Sequence, residues 1–243
     1  DPWGPGTTLV AADGLAALTF EDTLHGGAQD LVVEGGSAAV VVRAASPMLA
    51  DLVTRGTTLA AVLVTGGLFT DVFNVLVENA GQRGIWLTGT SAVRCWLATV
   101  AHVGSHAFDV GNGARLRLRD RIIHDVELVG LKVSRTDVLD VRGVLIDQAR
   151  GGTLPSGVTN PWTGGEILTG DPMLIAGARH GAYLSQVSAG QANDSPALNA
   201  GTLSANALAL GPRTTAIDNR VDSALVAQGY PAWPLVPGPP VDA

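Results

Sequence analysis

Short apolar runs recur along the middle of this chain at a constant spacing of 23 residues. Each run follows a small residue, and these small residues are Ala38, Ala61, Gly84, Ala107 and Gly130. A fixed period in this range is typical of a solenoid, in which each repeat buries its apolar face only by stacking on its neighbours. Residues one period apart are therefore expected to lie side by side, at the spacing of hydrogen-bonded strands, about 4.8 Å.

Apolar and polar residues alternate within each repeat with the period of two that a half-buried strand shows, most clearly over residues 114–119. The expected inward columns of the first strand are Ala39, Val62, Ile85, Phe108, Leu131 and Val41, Val64, Leu87, Val110, Val133. Those of the second strand are Thr70, Val93, Leu116, Leu139 and Leu49, Val72, Cys95, Leu118, Val141. A third short strand is indicated by the apolar column Val77, Val100, Ile123, Ile146.

The pattern predicts an all-β fold, a right-handed parallel β-helix with coils of 23 residues and an irregular C-terminal extension. A single solenoid domain is expected, because a solenoid lengthens without a domain boundary. Its expected parts are an N-terminal segment at 1–14, the domain at 15–228 with regular coils at 38–148, a turn-rich loop at 149–170 and C-terminal coils at 171–228, and a proline-rich tail at 231–243.

Charge and composition exclude several classes of protein. The formal net charge of −7 argues against a nucleic-acid binder, because affinity for phosphate comes from clustered Lys and Arg. No apolar stretch approaches the roughly 18 residues of a membrane span. The single cysteine, Cys95, forms no internal disulfide. A chain that starts Asp-Pro-Trp-Gly is typical of a mature or trimmed product, so we expect an extracellular or cell-surface location.

A family resemblance lies in the C-terminal third. Residues 170–175 (Gly-Asp-Pro-Met-Leu-Ile) and 194–201 (Asp-Ser-Pro-Ala-Leu-Asn-Ala-Gly) resemble the closing segment of bacterial right-handed parallel β-helix repeat proteins. The chain departs from that pattern at Asn199, where relatives usually carry aspartate. The resemblance implies the pectate-lyase-like fold and a secreted or surface location, and it is nearly silent on activity.

Outward side chains of the second strand form the candidate binding surface. One column is Asp71, Arg94, Arg117, Asp140, and the next is Phe73, Trp96, Arg119, Arg142. Arg119 is expected to stack on Trp96, and opposite charges on adjacent rungs are expected to pair. Such a surface suits a sugar chain or an acidic polysaccharide, because rings stack on sugar faces and guanidinium binds carboxylate at two points. Alternatively, these are ladder pairs that only stabilise the strand stack.

A second polar column is Asn79, His102, Asp125, Gln148, and it lies beside Glu78, Ala101, His124, Asp147. The pairs His102 with Asp125 and His124 with Asp147 are each one rung apart. Paired histidine and carboxylate suit general acid–base chemistry. The alternative is that these side chains satisfy the backbone of the turn.

The motifs of known β-helix enzymes are missing from the sequence. The polygalacturonase-like set needs Gly-His-Gly and Arg-Ile-Lys, and neither tripeptide occurs. We therefore expect no catalytic residue, metal or cofactor, and a surface, fibre or adhesion module that binds polysaccharide or another copy of itself. The alternative is a polysaccharide lyase or glycoside hydrolase that acts on an acidic polysaccharide. Self-association is suggested by open strand edges at both ends of a solenoid and by Trp3 and Trp233 near the termini.

Overall fold

The strands form two long parallel sheets in a computed structural model that describes residues 7–67, 69–134, 139–152, 167–175, 183–204, 207–208, 225 and 227–229. The eight-stranded sheet contains β1 (Thr7–Ala11), β3 (Gly27–Gly35), β5 (Met48–Arg55), β7 (Thr70–Ala80), β9 (Ala92–Val103), β11 (Arg115–Val126), β13 (Leu139–Ala149) and β14 (Ile167–Thr169). The six-stranded sheet contains β2 (Ala16–Glu21), β4 (Ala38–Arg43), β6 (Ala60–Thr65), β8 (Arg83–Thr88), β10 (His106–Val110) and β12 (Leu131–Val133). The tail at 231–243 and most of the predicted loop, with Trp3 and Trp233, lie outside the described residues.

From β1 to β13, successive strands along the chain alternate between the two sheets, and every neighbouring pair within either long sheet is parallel. Each turn of the chain therefore adds one strand to each sheet. The result is a parallel β-solenoid of about six turns, as the repeat predicts. Among the described residues, no helix is long and apolar enough to cross a membrane.

The apolar columns occupy the space between the sheets. Phe108 pairs with Ile85 on one side and with Leu131 on the other, and all three side chains are fully buried. The columns of the second and third predicted strands also keep the 23-residue register from β7 to β13. Their members pair across the ladder as expected. Each fully buried aliphatic or aromatic side chain stabilises the fold by about 1.5–3 kcal/mol, so the columns supply most of the stability.

The predicted register is wrong by one residue at β4. Val40 pairs with Val62 there, at a spacing of 22, so Ala39 and Val41 do not begin the inward columns. In the next pair of strands Met48 of β5 pairs with Asp71 of β7, at a spacing of 23. The connection from β6 to β7 is therefore one residue longer than the connection from β4 to β5. The sequence of β4 is Ala-Ala-Val-Val-Val-Arg, and an uninterrupted apolar run does not indicate which side chains face inward.

The third predicted strand is the second half of the long strands, not a separate sheet. Near the middle of the strands from β3 to β13 of the eight-stranded sheet one residue has a left-handed backbone, and these residues are Asp30, Asp51, Asn74, Leu97, Asp120 and Gly143, with φ between 53° and 60°. Such a residue bends the strand and reverses the side on which the following side chains lie. The column of Val77, Val100, Ile123 and Ile146 therefore faces inward beyond the bend.

The described residues after Thr169 add no further rung to either long sheet, so the C-terminal coils expected over 171–228 are not seen there. β15 (Leu174–Ile175) and β16 (Tyr183–Leu184) form a short antiparallel pair, followed by a 3-10 turn at Val187–Ala189. Tyr183 packs on Val53 and Leu76, and Leu184 packs on Ile122 and Leu145. The C-terminal segment thus covers the outward apolar side chains beyond the bend.

A close backbone contact between rungs occurs at Gly104. A β-carbon there would overlap the carbonyl oxygen of Gly81 on the preceding rung. We expect Gly104→Ala to lower the free energy of unfolding by about 1–3 kcal/mol, because the rungs must move apart to admit the methyl group. Urea unfolding followed by circular dichroism measures the change. Ser105→Ala, at the next residue, is the control and should change stability by less than about 0.5 kcal/mol; equal losses in both variants would contradict the prediction.

Candidate functional site

The two outward columns lie where the sequence predicts them. Asp71, Arg94, Arg117 and Asp140 are directly paired from β7 to β13, and Phe73, Trp96, Arg119 and Arg142 form the next column. Phe69 and Arg115 lie beside the first column. We call the surface formed by these ten side chains the arginine face.

Arg94 is held firmly at one end of the arginine face. Its Nε and Nη2 atoms donate hydrogen bonds of 2.6 Å to the two carboxylate oxygens of Asp71. The guanidinium carbon also lies 5.6 Å from the ring centroids of Phe69 and of Trp96. The cation over Trp96 is therefore Arg94, and the predicted stacking of Arg119 on that ring is not among the cation–π contacts of the described residues.

Asp140 is surrounded by three arginines at the other end of the face. The shortest separations from its carboxylate are 3.4 Å to Arg117 Nε, 3.7 Å to Arg119 Nη2 and 3.5 Å to Arg142 Nε. One carboxylate cannot engage all the donors of three guanidinium groups, each of which has five N–H bonds. The side chain of Arg117 is 59% exposed, so its remaining donors are accessible to a ligand.

An open groove of about 660 Å³ runs over the first column between these two ends. Its lining includes Phe69, Arg94, Arg115, Arg117 and Asp140. The arginine face as a whole carries five arginines and two aspartates, a local net charge of +3 in a chain whose net charge is −7. Phe69 is 58% exposed and presents its ring to solvent. The arrangement suits an anionic ligand that also offers an apolar face.

A second cluster lies at the far end of the same strands. His102 Nδ1 is 2.8 Å from Asp125 Oδ2, and His124 Nδ1 is 2.9 Å from Asp147 Oδ2, as the predicted pairing requires. The two imidazole rings meet edge to face with centroids 5.7 Å apart. The hydrogen bond with His102 lowers the pKa of Asp125. We call this group of four side chains the histidine edge.

Both readings of the histidine edge have support in the structure. His102 and Asp125 have left-handed backbones with φ of 55° and 49°, and Asn79 and Gln148 share that conformation, which is typical of turn residues. A structural role in the turn is therefore supported for that column. His124 and Asp147 do not have this backbone, and their side chains are mostly buried.

Asp171 lies beside the histidine edge, although it is not among the sequence candidates. Single donor atoms of His124, Asp147 and Asp171 all lie within 4.8 Å of one another. β14, at the end of the predicted loop, keeps the 23-residue register with β13, because Val144 pairs with Ile167. Asp171 therefore lies one period after Gln148.

On the six-stranded sheet, Lys132 Nζ lies 3.2 Å from the carboxylate of Asp109, and Arg83 Nε lies 2.8 Å from the same carboxylate.

Sequence reasoning also missed an ionic group in the core. Arg121 is fully buried and pairs with Val144, in a column whose other members are apolar. Its neighbour Asp120 accepts hydrogen bonds from the backbone N–H of Thr202 at 2.7 Å and from the Thr202 hydroxyl at 3.0 Å. Burial raises the pKa of the Asp120 carboxyl and is opposed by these bonds. Asp120 therefore fastens the C-terminal segment to the solenoid.

Comparison of the chain with family models, with curated proteins and with solved structures found no match. The resemblance to pectate-lyase-like β-helix proteins therefore stays a prediction.

Proposed function

We propose that this protein is a non-catalytic binding module of the cell surface or extracellular space, and that the arginine face binds an acidic polysaccharide. The observation that supports the proposal is the local charge of +3 around an open groove in a chain with a net charge of −7. A guanidinium group offers a planar pair of N–H donors that matches a carboxylate or a sulfate. Clustered arginines on an acidic protein therefore favour an anionic ligand.

The spacing of the arginines favours a polymer over a small anion. Arg94 and Arg117 lie on adjacent rungs, about 4.8 Å apart along the solenoid axis. Arg115, Arg117 and Arg119 alternate along one strand on the same side of the sheet. Cationic groups therefore recur in two directions across the face, and a chain of uronic acid or sulfated sugars presents anions at regular intervals. Phe69 supplies a ring on which an uncharged sugar face can stack.

Isothermal titration of the full chain with polygalacturonate, alginate and neutral dextran tests the proposal. We expect binding to the two acidic polymers, no binding to dextran, and an affinity that falls as salt is raised. Arg117→Ala should weaken binding about tenfold or more, because this exposed guanidinium has donors that Asp140 does not engage.

The matched control is Arg55→Ala, which removes an arginine of the same sheet that is paired with Glu78 at 2.8 Å, away from the face. It should leave the affinity unchanged. Failure of both acidic polymers to bind, or equal losses in the two variants, would overturn the proposal.

The alternative function is a polysaccharide lyase or glycoside hydrolase, and the observation that favours it is the pairing of histidine with carboxylate in the histidine edge. Incubation of the protein with the same polysaccharides distinguishes the two functions. A lyase would release chains with unsaturated ends, and a hydrolase would release new reducing ends. We expect no product. Product that forms with the intact chain and disappears in His102→Gln or His124→Gln would favour the enzyme.

A further inference from the structure

We propose that His124, Asp147 and Asp171 form a binding site for a divalent transition-metal ion, with Zn²⁺ as the best fit, and that the ion fastens the segment after β14 to the solenoid. Single donor atoms of the three side chains lie within 4.8 Å of one another. Zinc binds imidazole nitrogen and carboxylate oxygen at about 2.0–2.2 Å, so the donors need to close on the ion by only about an ångström. Water completes a tetrahedral set.

The three ligands come from three successive levels of the solenoid. His124 lies in β11, Asp147 lies in β13, and Asp171 follows β14, the last strand of the same sheet. His124 and Asp147 are adjacent partners in the ladder. An ion held by all three therefore joins two rungs of the regular solenoid to the first residues of the C-terminal segment.

The surroundings of the site favour a cation. Asp125 follows His124 in β11, Glu127 directly follows the end of that strand, and Arg150 contacts both carboxylates, at 3.6 Å and 2.6 Å. Arg150 is the cation in ion-pair contact with these carboxylates, so negative charge predominates near the three ligands. His124 and Asp147 are mostly buried and Asp171 is exposed, which leaves an open side for the ion to enter.

The donor set distinguishes among metals. Mg²⁺ and Ca²⁺ prefer cages of oxygen atoms, whereas an imidazole nitrogen favours zinc and its neighbours in the first transition series. We therefore expect Zn²⁺ and Co²⁺ to bind more tightly than Ca²⁺ or Mg²⁺.

The adjacent column provides a matched control. His102 and Asp125 form the same kind of pair at 2.8 Å, but the next residue of that column is Gln148, which carries no charge. Removal of His102 changes the histidine edge without changing any of the three proposed ligands.

The test is calorimetric titration of the EDTA-treated full chain with Zn²⁺, Co²⁺, Ca²⁺ and Mg²⁺. We expect one Zn²⁺ per chain, and a rise in Tm of about 5–10 °C when free Zn²⁺ is a hundred times Kd. Asp171→Asn and His124→Gln should each weaken Zn²⁺ binding by about tenfold or more, and His102→Gln should not. Visible absorption of the Co²⁺ complex gives a second measurement of tetrahedral coordination.

Absence of a one-to-one Zn²⁺ complex would overturn the proposal, and so would an affinity that Asp171→Asn leaves unchanged or that His102→Gln lowers equally. Circular dichroism shows whether each variant is folded, and Asp171 is exposed, so its amide variant should retain the fold. The site is independent of the arginine face: Arg117→Ala should bind Zn²⁺ like the unchanged chain.

Discussion

Replacing Phe108 by aspartate should unfold the solenoid. The ring of Phe108 is fully buried between Ile85 and Leu131 on the adjacent rungs. Loss of a buried phenylalanine side chain alone costs about 3–5 kcal/mol. An unpaired carboxylate in an apolar interior adds several kcal/mol more, and the total is comparable with the whole stability of a typical domain, about 5–15 kcal/mol.

Far-ultraviolet circular dichroism and urea unfolding measure the effect. The graded variant Phe108→Leu should remain folded and lose about 1–2 kcal/mol, because it keeps an apolar side chain of reduced volume. Phe69→Asp makes the same chemical change at an exposed ring of the arginine face and should leave the fold intact. A folded Phe108→Asp protein with a cooperative transition would contradict the placement of this residue in the core.

Replacing Arg121 by methionine should stabilise the protein by about 1–3 kcal/mol, the cost of burying donors that lack a partner. Arg121 is fully buried, and its Nη1 atom donates to the backbone carbonyls of Arg119 and Asp120. Its Nε and Nη2 atoms have no oxygen or nitrogen acceptor among the described residues, and the weakly accepting sulfur of Cys95 is the polar group beside them. Burial lowers the pKa of Arg121 to about 10, so the side chain is still charged at neutral pH and its desolvation opposes folding. Methionine fills a similar length without charge.

The measurement is the urea midpoint of Arg121→Met at pH 7. Arg121→Ala is the control, because it removes the same charge and leaves a cavity between Ala98 and Val144, so it should be less stable than the methionine variant. Nearby, burial raises the pKa of the Cys95 thiol. A loss of more than 1 kcal/mol in Arg121→Met would show that the native guanidinium is fully satisfied.

Much of the fold follows from the sequence because each turn of a solenoid repeats the strand pairing and side-chain packing of the turn before it. Once Ile85, Phe108 and Leu131 recur at a constant spacing, the ladder pairs of the central rungs are determined. The spacing fails as a guide where the pattern carries no alternation, as at Val40. It is also hidden where a turn-rich stretch interrupts the apolar pattern, because β14 keeps the 23-residue register with β13 and Asp171 lies one period after Gln148. In both places the missing information is three-dimensional: the length of a turn between sheets, and the return of the chain to the same sheet after a long loop.

Arg121 shows a different limit of sequence reasoning. Strict alternation after Arg115, Arg117 and Arg119 would place Arg121 on the outward side with them. The left-handed backbone of Asp120 reverses the alternation and turns Arg121 into the core. The inward column of Ile123 lies five residues beyond that of Leu118, and this odd spacing is a trace of the reversal in the sequence. The arginine face was predictable because all of it precedes the bend, and the column that ends at Arg142 directly borders the bend.

The constant register from β6 to β13 also bears on how such a chain changes in length over generations. Loss of residues 92–114 would join Ser91 to Arg115, whose ladder partner is Ala92, so every later strand would meet an equivalent neighbour. A duplication of these 23 residues would likewise give every later strand an equivalent neighbour. Loss or gain of whole repeats in the gene therefore removes or adds a row of side chains in the arginine face without a new loop between the strands. The proposed avidity for a long polymer would then vary in single steps, and the segment after β14, which packs on several rungs, would have to shift with each step.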